Sequence, residues 1–235
     1  MKFVCVFSLF IIVCSCNTTP SQVNLSANEK VAIDSIASIY GGNISYYKGV
    51  TLIGNDKNSH FFQINLDESS VLPDFNEFKY LPPSNIASIF YSLISQKEKE
   101  EYNKYKISVN YAGDLKEYEY SREKLSTIVN CAQKTKFIIK LLKDENYSIL
   151  KSSINIHPLF KFDLDILLRG IKRVNENYGQ IKNSTITGFT FHNVEDHDFN
   201  FIKIYGFFER EKQNNLFSIF IDPKTKNVFK IEYEW

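Results

Sequence analysis

The apolar positions of this chain alternate between helical and strand-like runs. Ser26-Ala27-Asn28-Glu29 has the form of a capping box: a serine that can accept from a backbone N–H, and a glutamate three residues on that can answer it. Ala32, Ile33, Ile36, Ala37 and Tyr40 follow at the i, i+3, i+4, i+7 spacing of a buried helix face, and Gly41-Gly42 supplies the stop. Residues 44–53 and 60–66 read as strands around a turn at 54–58. The stretch 67–81, with Pro73, reads as irregular. Pro82-Pro83-Ser84 opens a second helix with Ile86, Ile89, Phe90, Leu93 and Ile94 as its stripe. Residues 105–111 and 115–120 alternate across Ala112-Gly113-Asp114, the pattern of a hairpin.

Ser121 can cap a helix over 122–143, with a break expected near Gln133, and 146–153 predicts a short helix. In 163–178 the stripe is Leu164, Leu167, Leu168, Ile171 and Val174, ended by Gly179. Four strands follow, at 181–192, 199–211, 216–221 and 228–233, the last two joined by turn chemistry at Asp222-Pro223-Lys224-Thr225-Lys226-Asn227. The fold class expected is α+β in two small domains, 26–121 and 122–235. Each packs helices on an antiparallel sheet, and the second ends in a four-stranded meander. In that second half, the helix 162–178, the stop at Gly179, the strand opening at Gln180-Ile181 and the meander to Trp235 resemble the cystatin-like superfamily, which includes the nuclear-transport-factor-2-like fold. The resemblance implies a curved sheet wrapping a helix, sometimes around a ligand cavity.

The N-terminus has a different pattern. Met1-Lys2 is a short positive segment, and residues 3–13 are apolar apart from Ser8, the length of a signal-peptide core and too short for a bilayer span. Val13-Cys14-Ser15-Cys16 follows, with an aliphatic residue at −3, a small residue at −1 and a cysteine at +1. This resembles the lipobox of bacterial lipoproteins, and the whole chain resembles lipoproteins of the Bacteroides–Flavobacterium group. Cys14 stands where that pattern has another small residue. The resemblance implies a signal peptide over 1–15, lipidation of Cys16 and a polar tether over 16–25. It also implies a body held at a membrane of the cell envelope. No acidic cluster follows Cys16, which favours a periplasm-facing protein. Acyl chains contribute about 0.8 kcal/mol per buried methylene, so two or three of them anchor firmly. Cys131 would then be the one thiol left, without a disulfide partner. Its helical neighbours make it a small buried residue.

Composition adds exclusions. With 28 Lys and Arg against 27 Asp and Glu, the formal net charge is +1, which gives no general attraction for nucleic acid. Phosphate-loop, nucleophile-elbow and His-Glu-x-x-His patterns are missing. The richest polar cluster, His192-Asn193-Val194-Glu195-Asp196-His197-Asp198, matches no closed zinc spacing and falls between strands, where it reads as a solvated loop. Asp163 and Asp165 open a helix, where Asp163 serves as N-cap. His60 and His157 are isolated. Gln96-Lys97-Glu98-Lys99-Glu100-Glu101 reads as the solvated end of the preceding helix, and Tyr46, Tyr47, Tyr118 and Tyr120 as half-buried strand tyrosines. No catalytic, metal-binding or cofactor-binding residue is assigned. The expected role is a non-enzymatic envelope module that binds a protein partner or small ligand, an immunity-type protein being one form. An enzyme using a cavity of the C-terminal half is the alternative.

Overall fold

The structure, a computed structural model, describes residues 24–53 and 57–234. The signal segment, Cys16, most of the tether and the tip of the first turn lie outside the described residues.

Helix α1 (Ala27–Tyr40) begins with the capping box intact. Ser26 Oγ accepts from the Glu29 N–H at 3.1 Å, and the Glu29 carboxylate accepts from the Ser26 N–H at 2.8 Å. Strands β1 (Asn43–Ile53) and β2 (Lys57–Asp67) form one antiparallel hairpin, and β3 (Lys104–Tyr111) and β4 (Asp114–Ser121) form another. The hairpins join through a parallel seam of β2 and β3, with Phe62 opposite Tyr105 and Ile64 opposite Ile107, so the sheet order is β1-β2-β3-β4. A parallel pair requires a crossover. Here it runs through a short 3-10 turn (Leu72–Phe75), α2 (Leu81–Leu93) and α3 (Gln96–Glu101).

The charged run therefore corrects one expectation. It is not the solvated end of α2 but a separate helix, because α2 ends at the extended Ile94 and Ser95 opens a second capping box with Glu98. Glu98 is buried. Helix α4 (Arg122–Lys143) also differs from expectation, being continuous through Gln133. Cys131, Thr135 and Ile138, each fully buried, line its core side across that point. Helices α5 (Tyr147–Ser153) and α6 (Leu164–Tyr178) follow, capped by Asn146 and Asp163. The second sheet is the antiparallel meander β5 (Asn183–Val194), β6 (Phe199–Glu209), β7 (Asn215–Ile221) and β8 (Val228–Glu234), in that order. The molecule is thus α+β, with two four-stranded sheets in a two-domain arrangement.

One apolar cluster runs through both halves, from Tyr40, Phe62 and Phe90 through Leu125 and Leu150 to Ile202, Ile219 and Ile231. On the inner face of the second sheet, Ile202, Ile219, Ile221 and Val228 are fully buried, so that side is filled by its own side chains. Near its end the buried Arg210 ties α6 to the β6–β7 turn. Its Nε donates to Asn215 at 2.6 Å, and its Nη1 donates to Asn175 and to the Gly179 carbonyl, each at 2.6 Å.

Candidate functional site

Strand β6 carries apolar residues on both of its faces. By the two-residue period of a strand, Ile202, Ile204 and Gly206 face the core, while Phe201, Lys203, Tyr205 and Phe207 face away. Across the ladder, Phe220, Ser218 and Leu216 stand opposite Lys203, Tyr205 and Phe207. One end of this outer face is walled by the segment leading into α2, which contributes Val71, Asp74, Phe75, Phe78, Tyr80 and Leu81. Between wall and sheet lies a cleft of about 670 Å³, within the range of small-ligand sites.

The wall is fixed from the first sheet. Tyr111 Oη donates to the Lys79 carbonyl at 2.6 Å, Tyr118 Oη donates to the same oxygen at 3.4 Å, and Lys79 Nζ lies 3.2 Å from Asp114. The floor is fixed by the second sheet. A Cβ on Gly206 would stand 2.4 Å from the Phe217 ring and 2.5 Å from the Thr185 carbonyl, so only glycine lets that ring lie against the strand. The cleft therefore sits where the two halves meet, on rigid elements of each.

Its chemistry is aromatic. The Tyr80 and Tyr205 rings meet edge-on at 6.1 Å, and Phe78 meets Tyr80 edge-on at 6.2 Å. Burial, with the neighbouring Tyr205, pushes the Tyr80 phenol up to about 12, so it stays a hydrogen-bond donor at neutral pH. Lys203 stands beside the cleft with its Nζ 3.0 Å from Glu232 and 4.9 Å from the Tyr205 ring. Glu232 also holds Lys230 at 2.6 Å and the Ser218 hydroxyl at 3.1 Å. Burial works against this carboxylate, but the two lysines outweigh it and keep it below its ordinary range. The site thus offers ring faces and phenolic donors, which suit gripping a flat apolar group, beside an ion cluster of two lysines and one glutamate.

The residues that stood out in the sequence lie elsewhere. His192 ends up on β5 with its ring stacked on Phe201 at 4.8 Å and its Nε2 2.6 Å from Thr190 Oγ1. Burial, then Lys203, lowers its pKa. Glu195, Asp196 and His197 form an exposed 3-10 turn and Asp198 follows in the left-handed region. Among the described residues no three His, Cys, Asp or Glu side chains are grouped to hold a metal ion. His157 stacks on Phe199 at 4.1 Å. Asp163 caps α6 by accepting from the Ile166 N–H at 2.9 Å, and Asp165 pairs with Lys151 at 2.6 Å. His60 is exposed on β2. Tyr46, Tyr118 and Tyr120 are half-buried, whereas Tyr47 is exposed. Cys131 is fully buried, and burial pushes its thiol up to about 11.

Sequence reasoning missed the cleft because its wall, 71–81, reads as irregular. One signal was present: β6 alternates Phe201, Lys203, Tyr205 and Phe207 on the face opposite Ile202 and Ile204, and a strand apolar on both faces is covered on both. The buried polar knot at the start of α1 was also hidden. There Glu29 accepts from Tyr102 Oη at 2.7 Å and from Lys48 at 2.8 Å, and Glu98 accepts from Ser26 and Asn28.

Comparison with known proteins gives no matching family model, no matching curated protein and no matching solved structure.

Proposed function

We propose that this chain is a lipid-anchored protein of the bacterial cell envelope, periplasm-facing, whose body is a non-enzymatic binding module. The observation that carries the binding reading is the cleft between the 71–81 segment and the outer face of β6 and β7. Its grip is made of rings and phenols, which favour a flat apolar group: a small aromatic ligand or an aromatic side chain of a protein partner. Partner neutralisation of the immunity type is one form such capture takes.

The enzyme alternative is disfavoured by the filled inner face of the second sheet. The order of α6, Gly179 and a four-stranded meander supports the cystatin-like reading of the C-terminal half, with the ligand on the outer side of the sheet. The anchor reading rests on Val13-Cys14-Ser15-Cys16.

Two experiments test these parts. Mono- and bicyclic aromatic compounds titrated against the body should bind, and Leu216→Glu, at a side chain 48% exposed and therefore removable without unfolding, should weaken binding at least tenfold. Binding that ignores this change places the site elsewhere. For the anchor, a palmitate analogue should label the chain, and Cys16→Ala should abolish both label and membrane retention. A Cys16→Ala chain that stayed in the membrane fraction would refute lipidation there.

A further inference from the structure

A second opening lies apart from the aromatic cleft. It is a groove of about 790 Å³ bounded by the end of α1, one face of α2, one face of α4 and the start of β5. Along its α4 wall stand Lys136, Lys140 and Lys143. These are spaced i, i+4, i+7, so they share a helix face over roughly 10 Å. Among the described residues the side chains of Lys136 and Lys140 form no ion pair and no hydrogen bond, and the Lys143 ammonium donates to the Lys182 carbonyl at 2.7 Å. No aspartate or glutamate lines the groove. Lys140 and Lys143 lie in the last turn of α4, where cations suit the negative end of the helix dipole, whereas Lys136 lies a turn earlier, and like charges at this spacing repel one another.

Beneath the lysines the surface is apolar. Ile39 is 47% exposed, and Ile89 and Ile186 are half-buried at the groove. Ser88, Ser184 and Thr185 add hydroxyls to the same lining. An apolar floor under a uniformly cationic wall is complementary to one kind of molecule, an apolar chain that ends in an anion. The volume suits a single such molecule, since small-ligand sites run to about 1,000 Å³.

We propose that this groove binds an anionic amphiphile, with its chain over Ile39, Ile89 and Ile186 and its carboxylate or phosphate head at Lys136 and Lys140. The bound molecule touches α1 and α2 from one half and α4 and β5 from the other, so it clamps the two together. The site shares no residue with the aromatic cleft, and either can stand without the other.

The test uses the full chain in membranes and a photoreactive alkyl carboxylate. Peptides from α2, α4 and the start of β5 should carry the crosslink. A photoreactive alkyl phosphate of the same length should label the same peptides, and the stronger of the two identifies the preferred head. The matching alcohol should label them at a tenth of that yield or less. Lys136→Gln with Lys140→Gln, at exposed positions that keep the helix, should reduce labelling by either anion about tenfold, and Lys136→Glu with Lys140→Glu further. Equal labelling by the alcohol, labelling unchanged in the lysine variants, or no labelling of these peptides would each overturn the proposal.

Discussion

Ser84 Oγ accepts a hydrogen bond from the Phe189 N–H at 2.9 Å, and through it the first turn of α2 is fastened to β5. Ser84 also donates to the Leu81 carbonyl at 2.8 Å, so its hydroxyl serves both partners. The strand makes room by a bulge between Ile186 and Gly188. Gly188 has φ 155, and a Cβ there would lie 2.5 Å from the Leu81 carbonyl and 2.6 Å from Ser84 Oγ. Ser84→Ala leaves a buried N–H without an acceptor, at a cost of about 1–3 kcal/mol. Gly188→Ala is expected to cost at least as much, because both neighbours at short range belong to a fixed helix start. Urea unfolding measures this, and a midpoint unmoved in both variants would show that the joint carries no stability.

Acid should loosen the start of the folded body. Burial works to raise the Glu98 carboxyl, but hydrogen bonds from Ser26, Ser95 and Asn28 outweigh it and bring the group down to about 2 from 4.5. A depressed folded-state pKa gives stability that is present above the unfolded value and lost as pH falls through the folded one. The window is therefore about pH 4.5 down to 2. Thermal melts across it should fall steeply for the native chain and less steeply for Glu98→Gln. Parallel slopes would rule out Glu98 as the titrating group.

Cys131 should be chemically silent in the folded protein. A thiol moved from 9.0 to about 11 carries about a hundredfold less thiolate at a given pH, and full burial blocks access as well. In the chain from residue 24 onward, where Cys131 is the only cysteine, an aromatic disulfide reagent should react only after denaturant is added. Rapid reaction of the native form would mean the α4 core opens.

The buried guanidinium of Arg210 is held by three short hydrogen bonds to Asn215, Asn175 and Gly179. Hydrogen bonds to charged groups are worth about 1.5–3 kcal/mol each. Arg210→Leu removes all three and strands their acceptors, so a loss above ~2 kcal/mol is expected in urea unfolding. A loss below about 0.5 kcal/mol would mean the acceptors find other donors.

Much of the fold was legible because local physics sets it. The Ser26–Glu29 capping box, the Asp163 cap and the stop at Gly179 all appear at the positions their residue types require. The parallel seam of β2 and β3 was not legible, since nothing in either strand names a partner some forty residues away. Nor was the buried Glu98, whose sequence neighbours are all charged or polar and whose partners Ser26 and Asn28 come from another helix. The cleft failed for the same reason: Phe78 and Tyr80 meet Tyr205 only through tertiary folding.

The central claim is that the aromatic cleft is the binding site, and methyl-detected NMR of the body during titration with an aromatic ligand tests it most directly. Val71, Leu81 and Leu216 line the cleft from its two sides, while Leu125 and Ile171 lie in the core away from it. The account predicts that the first three methyl signals shift together and saturate with one affinity, with Leu125 and Ile171 unmoved. Shifts confined to other methyls, or none across a broad set of aromatic ligands, would contradict it.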